Sequence, residues 1–91
     1  MSVLKIKIRL YAVLRDLYGS SEDLIEVEGD RISVRDLLSR ISSKNTSLEE
    51  FMRSRGEGII VLVNGLYAPM DQFVREGDVV DILPPASGGV F

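Results

Sequence analysis

The chain contains no cysteine and no histidine in its 91 residues. Without thiols it can form no disulfide, run no thiolate chemistry and hold no cysteine-ligated iron–sulfur cluster. With imidazole missing as well, it has no plausible zinc site of its own. Basic charge is not in excess: 11 Lys and Arg face 14 Asp and Glu, for a net charge of −3. That balance argues against a general nucleic-acid binder, which needs a basic surface to neutralise phosphates. Four basic residues do gather early, at Lys5, Lys7, Arg9 and Arg15, a grouping better suited to a protein partner. The acidic residues form no pair arranged for acid–base work and are expected at the surface. No apolar run is long enough to span a bilayer, and Met1-Ser2-Val3-Leu4-Lys5 holds no signal-peptide core. A cytoplasmic protein, away from membranes, is the expectation.

What is present suits one small domain. Hydrophobic residues make up 45% and charged residues 27%, the usual mixture for a folded chain with little surplus stability. Residues 3–11 alternate, with Leu4, Ile6, Ile8 and Leu10 against Lys5, Lys7, Arg9 and Tyr11, which reads as a half-buried strand. Ala12 to Tyr18 reads as a short helical turn stopped by Gly19. A second strand, Leu24 to Glu28, is expected to pair antiparallel with the first. Ser33 with Asp36 marks a helix start, Ile32 and Leu37 supply a hydrophobic staple, and Val34, Leu37, Leu38 and Ile41 form its apolar stripe. Ser47 with Glu50 signals a shorter second helix, with Gly56 as its stop. Ile59 to Val63 reads as a central strand, Asn64-Gly65 as a turn, and Leu66 to Pro69 as an edge segment. After a turn at Gly77-Asp78, Val79 to Leu83 forms the last strand. The order predicts an α+β sheet with its helices on one face.

The end of the chain is its most informative stretch: Pro84-Pro85-Ala86-Ser87-Gly88-Gly89-Val90-Phe91. Two prolines end a strand, since proline cannot donate to a ladder, and they also stiffen the tail and hold it away from the domain. Gly88 and Gly89 read either as an ordinary frayed terminus or as an unencumbered backbone that can be threaded into a narrow channel. Val90 and Phe91 cover the Gly89 carboxylate in the second case.

Three stretches resemble the β-grasp (ubiquitin-like) fold, and closely its MoaD/ThiS branch of small sulfur carriers. Ile8-Arg9-Leu10-Tyr11-Ala12-Val13-Leu14-Arg15-Asp16 is similar to the aromatic-Ala-x-x-Arg-acidic segment after the family's first strand. Val61-Leu62-Val63-Asn64-Gly65 resembles its apolar-Asn turn. The run from Gly77-Asp78 through Pro84-Pro85 to Ser87-Gly88-Gly89 is similar to the family's ending almost position for position. The resemblance implies a mixed four-to-five-stranded sheet over residues 1–85, one main helix with a short second helix, and a flexible tail over 86–91.

The resemblance also implies a chemistry that asks no catalytic side chain of this protein, which would be a co-substrate and not an enzyme. In relatives, an activating enzyme of the MoeB/ThiF/ubiquitin-activating type adenylates the terminal glycine, and ATP, Mg²⁺ and zinc sit on that partner. The acyl end then becomes a thiocarboxylate, or is attacked by a lysine amine. Gly88 and Gly89 would be the covalent site here. Gly89-Val90 would be the bond cut by a processing peptidase, with a zinc-dependent one the natural candidate. Tyr11, Tyr67 and Leu83 match positions that form an apolar patch against the large subunit in molybdopterin synthase, although Leu83 replaces the family's usual Phe. Leu62 is similar to the centre of ubiquitin's recognition patch, Arg15 to an arginine near the activating-enzyme interface, and Pro84, Pro85 and Ser87 belong to the tail motif. Three readings stand: a sulfur carrier for molybdenum or tungsten cofactor assembly or tRNA thiolation, a protein modifier joined to lysines through Gly89, and a non-covalent ubiquitin-like interaction domain.

Overall fold

A computed structural model describes residues 2–85. The N-terminal alternation becomes strand β1 (Val3–Leu10), which buries Leu4, Ile6, Ile8 and Leu10. Along the chain come next α1 (Val13–Tyr18), β2 (Glu22–Glu28), β3 (Ile32–Ser33), α2 (Val34–Ser42) and α3 (Thr46–Arg55). After a 3₁₀ turn at Gly56–Gly58 come β4 (Ile60–Val63), β5 (Leu66–Tyr67), β6 (Phe73–Val74) and β7 (Val79–Leu83). The main sheet has the order β2-β1-β7-β4-β5, and β3 and β6 form a separate two-stranded pair. β1 and β2 are antiparallel, as the sequence suggests, while β7 runs parallel to β1 and antiparallel to β4. The architecture is α+β, with a mixed five-stranded sheet.

Local chemistry explains most boundaries. Gly19 caps α1 in the left-handed conformation, its N–H donating to the Arg15 carbonyl at 2.9 Å. Ser33 caps α2 as expected, its hydroxyl accepting from the Asp36 N–H at 3.1 Å. Behind that cap, Val34, Leu37, Leu38 and Ile41 are buried on one stripe against the sheet residues Ile6, Ile8, Val61, Val80 and Ile82. Asn64 and Gly65 both take positive φ, the signature of a two-residue type I′ hairpin between β4 and β5.

Three expectations need correction, and one pairing goes beyond them. β2 starts at Glu22, two residues early, because Glu22 and Asp23 find ladder partners in Arg9 and Ile8. The second helix is capped by Asn45, ahead of Ser47. The Asn45 amide accepts from Leu48 N–H at 2.7 Å and donates to the Leu17 carbonyl at 3.1 Å, so it ties α3 to the end of α1. That helix runs ten residues against nine for α2, and Gly56 ends it in a right-handed conformation that passes into the 3₁₀ turn. Finally, Ile32–Ser33 and Phe73–Val74 pair as strands, a contact between segments some forty residues apart that no local pattern announces.

The step from β1 into α1 is strained. Ala12 has φ 54 and ψ −128, and the Leu14 N–H donates to the Tyr11 carbonyl at 3.1 Å. Together these make a type II′ turn with alanine at the position glycine prefers. Such strain costs about 1–3 kcal/mol, whereas a new glycine forfeits about 0.4–1 kcal/mol through the unfolded chain. Ala12→Gly is therefore expected to raise the free energy of unfolding by about 1 kcal/mol in urea titrations. A loss of stability would show that the turn is relaxed.

Candidate functional site

Because one face of the main sheet receives the core side chains, the alternate residues collect on the other. Strand register arranges them in rows. Arg9 stands opposite Glu22 on one side and Asp81 on the other. Asp81 in turn stands opposite Leu62, and Leu62 opposite Tyr67. The next row sets Leu83 opposite Ile60. Of the residues singled out in the sequence, Tyr11, Leu62, Tyr67 and Leu83 are thus brought onto one surface. Tyr67 is 71% exposed on the short β5 edge, while Leu62 and Leu83 are half-buried.

Asp81 holds the centre of this face and is only 6% exposed. Arg9 grips it with two bonds, Nε to Oδ1 at 2.6 Å and Nη2 to Oδ2 at 3.0 Å, the fork geometry of strong arginine–carboxylate pairs. The Tyr11 hydroxyl donates to the same Oδ1 at 3.1 Å. A charge placed among Leu62, Val79 and Leu83 is thereby neutralised, and Tyr11 is pinned to the sheet just past the end of β1. Loss of water pushes the Tyr11 hydroxyl up, and its bond to Asp81 adds to the effect. These residues correct the expectation that every acidic side chain lies at the surface. The signal was available: aspartate is depleted in strands, and Asp81 interrupts the run Val79, Val80, Ile82, Leu83 on the same side as Leu83. Ile60 was likewise legible from its parity with Leu62.

Arg15 lies on α1, off the sheet face, where its guanidinium meets the neighbouring Asp16 carboxylate at 3.4 Å. It shares a shallow depression with Arg9, Tyr11, Ser21 and Glu22, which places it beside the apolar surface without joining it. Pro84 and Pro85 follow β7 half-buried. Pro85 packs on Gly58. Ser87, Gly88, Gly89 and Val90, with the rest of the tail over 86–91, lie outside the described residues. Among the described residues no three potential ligands converge on a metal site, and no helix is long and apolar enough to cross a membrane.

What the face can do is bind. An apolar surface with aromatic side chains at its margin and a satisfied ion pair at its centre has the composition of a protein-docking patch. Asn64 steadies its far end. The Asn64 side chain donates to Asp78 Oδ1 at 3.0 Å and accepts from the Val79 N–H at 3.0 Å, which locks the β4–β5 turn to the start of β7.

The Asp81 cluster has a pH signature. Hydrogen bonds from Arg9, first, and then from Tyr11 hold its carboxyl below the ordinary value of 3.8, against the opposing effect of burial. A carboxylate depressed in the folded state contributes stability that is fully present above its unfolded pKa and is lost as pH falls through the folded one. Asp81→Asn is expected to cost about 1–2 kcal/mol at neutral pH. The gap to wild type should hold constant above about pH 5 and narrow below about pH 4 in denaturant titrations. A gap that does not narrow would remove the charge of Asp81 from the account.

The architecture and the end motif have counterparts among known proteins. The ThiS family matches residues 8–89. The molybdopterin synthase sulfur carrier subunit of Chlamydomonas reinhardtii is 32% identical over 88 residues, covering 94% of this chain and all of that one. Among solved structures, the chain is similar to a Pyrococcus furiosus protein assigned as molybdopterin converting factor subunit 1. The identity is 33% and the TM-score 0.74, with 91% of this chain and 99% of that one covered. It is similar as well to SAMP1 from Haloferax volcanii, at 31% identity and a TM-score of 0.77, with coverage of 93% and 99%. The mixed sheet and its helices are therefore those of the β-grasp fold, and the chain belongs to the ThiS family.

Proposed function

We propose that this chain is a ubiquitin-like sulfur carrier of the molybdopterin synthase type, and that its reactive group is the backbone carboxylate of Gly89. The observation that carries the reading is where the family match ends. It runs from residue 8 to Gly89 and leaves out Val90 and Phe91. The fold supports it, because β7 ends beside the apolar face and hands the chain on through Pro84 and Pro85. A partner docked on Tyr11, Leu62, Tyr67 and Leu83 thus receives the tail at the edge of its own footprint.

Val90 and Phe91 are removed first, by a processing peptidase that frees Gly89. The carboxylate then attacks the α-phosphorus of ATP on an activating enzyme of the MoeB/ThiF/ubiquitin-activating type. Pyrophosphate leaves and an acyl-adenylate remains. A sulfur donor displaces AMP and leaves a thiocarboxylate for cofactor assembly or tRNA thiolation. ATP, Mg²⁺ and zinc belong to the enzyme, and this chain contributes the acyl end and the docking surface as a non-catalytic partner. A molybdopterin synthase large subunit is the second protein suited to the face. The Leu83 position, smaller than the family's usual Phe, would leave its side of that contact less filled.

The likeness to SAMP1 supports a second use of the same activated end, transfer of Gly89 to a lysine amine with loss of AMP. One measurement separates the outcomes: intact and peptide mass spectrometry of the protein from its native cell. A chain ending at Gly89 with one oxygen replaced by sulfur is the expected result. Gly-Gly remnants on lysines of other proteins would favour the modifier, and a terminus that always ends in Phe91 would overturn both. In the purified reaction, Gly89→Ala in the trimmed chain is expected to slow adenylation about tenfold or more, because a methyl group displaces the reacting carbon. Its melting temperature should match that of the trimmed parent. Equal rates for the two tails would count against a channel shaped for glycine.

A further inference from the structure

We infer that Gly58 is a positioning residue for the tail: its bare Cα is the seat of Pro85, and this seat fixes where the chain leaves the sheet. A Cβ at Gly58 would stand 2.5 Å from Pro85 Cβ and 3.3 Å from its Cγ. Opposed Cβ atoms on antiparallel strands ordinarily stand about 4.5–5.5 Å apart, so even alanine forces the proline to move. The backbone itself makes no such demand. The described glycines with positive φ are Gly19, Gly29, Gly65 and Gly77, and Gly58 is not among them.

The contact arises from the register. β4 pairs with β7 as far as Ile60 opposite Leu83, and two further residues along each strand bring Gly58 opposite Pro85. The sheet thus closes on the proline just beyond its last ladder pair. Proline's ring fixes its φ, so a seated Pro85, preceded by Pro84, turns a packing contact into a direction. Gly58 has no side chain with which to take part in the chemistry. It acts through Pro85 on where Gly89 can reach.

The consequence for activity rests on the sulfur-carrier reading, and the contact can be tested without it. Since the chain has no cysteine, Ser87→Cys gives a unique thiol for a nitroxide spin label in the full-length protein. Paramagnetic broadening of backbone amides should fall near the 3₁₀ turn and the start of β4, and should move elsewhere in Gly58→Ala. The same broadening pattern in both would overturn the inference. If Gly58→Ala lowers the melting temperature, Pro85→Gly in the same chain should restore it, and a failure to restore it would also count against the contact. In the adenylation reaction with chains ending at Gly89, Gly58→Ala is expected to lower kcat about tenfold while KM stays within about twofold. In a Pro85→Gly background the same change should have no further effect. An unchanged kcat, or a full additional loss in that background, would overturn the positioning role. If no chain is adenylated, wild type included, the carrier reading fails and the labelling result alone decides Gly58.

Discussion

Strand β7 is hydrogen-bonded along both edges, to β1 in parallel and to β4 antiparallel, and the molecule depends on that double pairing. Parallel pairing between the first and last strands obliges the whole intervening chain to cross over and return. α2 makes the crossing and lays its apolar stripe over the sheet. Val80 and Ile82 then complete the core beneath it. On the reverse side the same strand presents Asp81 to Arg9 and Tyr11, so the register that builds the core also builds the apolar face behind it. Asn64 fixes the start of β7 and Gly58 receives the proline just past its end. Both clamps hold a strand whose final residues lead directly to the tail.

The periodic elements could be read from the sequence because their signals are local. Alternation identified β1 and most of β2, an apolar run after the Gly77-Asp78 turn identified β7, the 3–4 spacing of Val34, Leu37, Leu38 and Ile41 identified α2, and Gly19, Ser33 and Asn64-Gly65 marked ends that the structure places in the same positions. What escaped was relational. The β3–β6 pair is two residues on each side, too short for a pattern. The Asn45 cap itself is local, but its second bond, to a carbonyl of α1, is one that adjacency in sequence does not reveal. Tyr11, Tyr67 and Leu83 could be grouped only through the family resemblance, and the rows that join them to Leu62 come from register. The buried Asp81 and the Gly58–Pro85 contact each require knowing which strand lies beside which.

An apolar face with an ionic centre combines two properties that a purely greasy surface lacks. The surrounding Leu62, Leu83 and Ile60 offer area to bury, while Arg9, Asp81 and Tyr11 hold one another in fixed orientation. A partner docked there, as proposed, would meet a fixed outline, and the aromatic ring of Tyr11 would lose little rotamer freedom on contact. Burying such a pair contributes little net stability when compared with well-packed apolar residues. Its place at the centre of the face is better explained by orientation than by energy.

A sheet whose uncovered face carries an apolar patch would ordinarily invite its own copies to join side by side. The two outer strands make that difficult. β2 lines its border with Glu22, Asp23, Glu26 and Glu28, so two such borders repel when they meet. The opposite border, β5, is two residues long and gives an incoming strand almost nothing to zip against. Growth into fibrils is thereby discouraged at both rims, and the sticky middle stays open to a visitor that approaches from above.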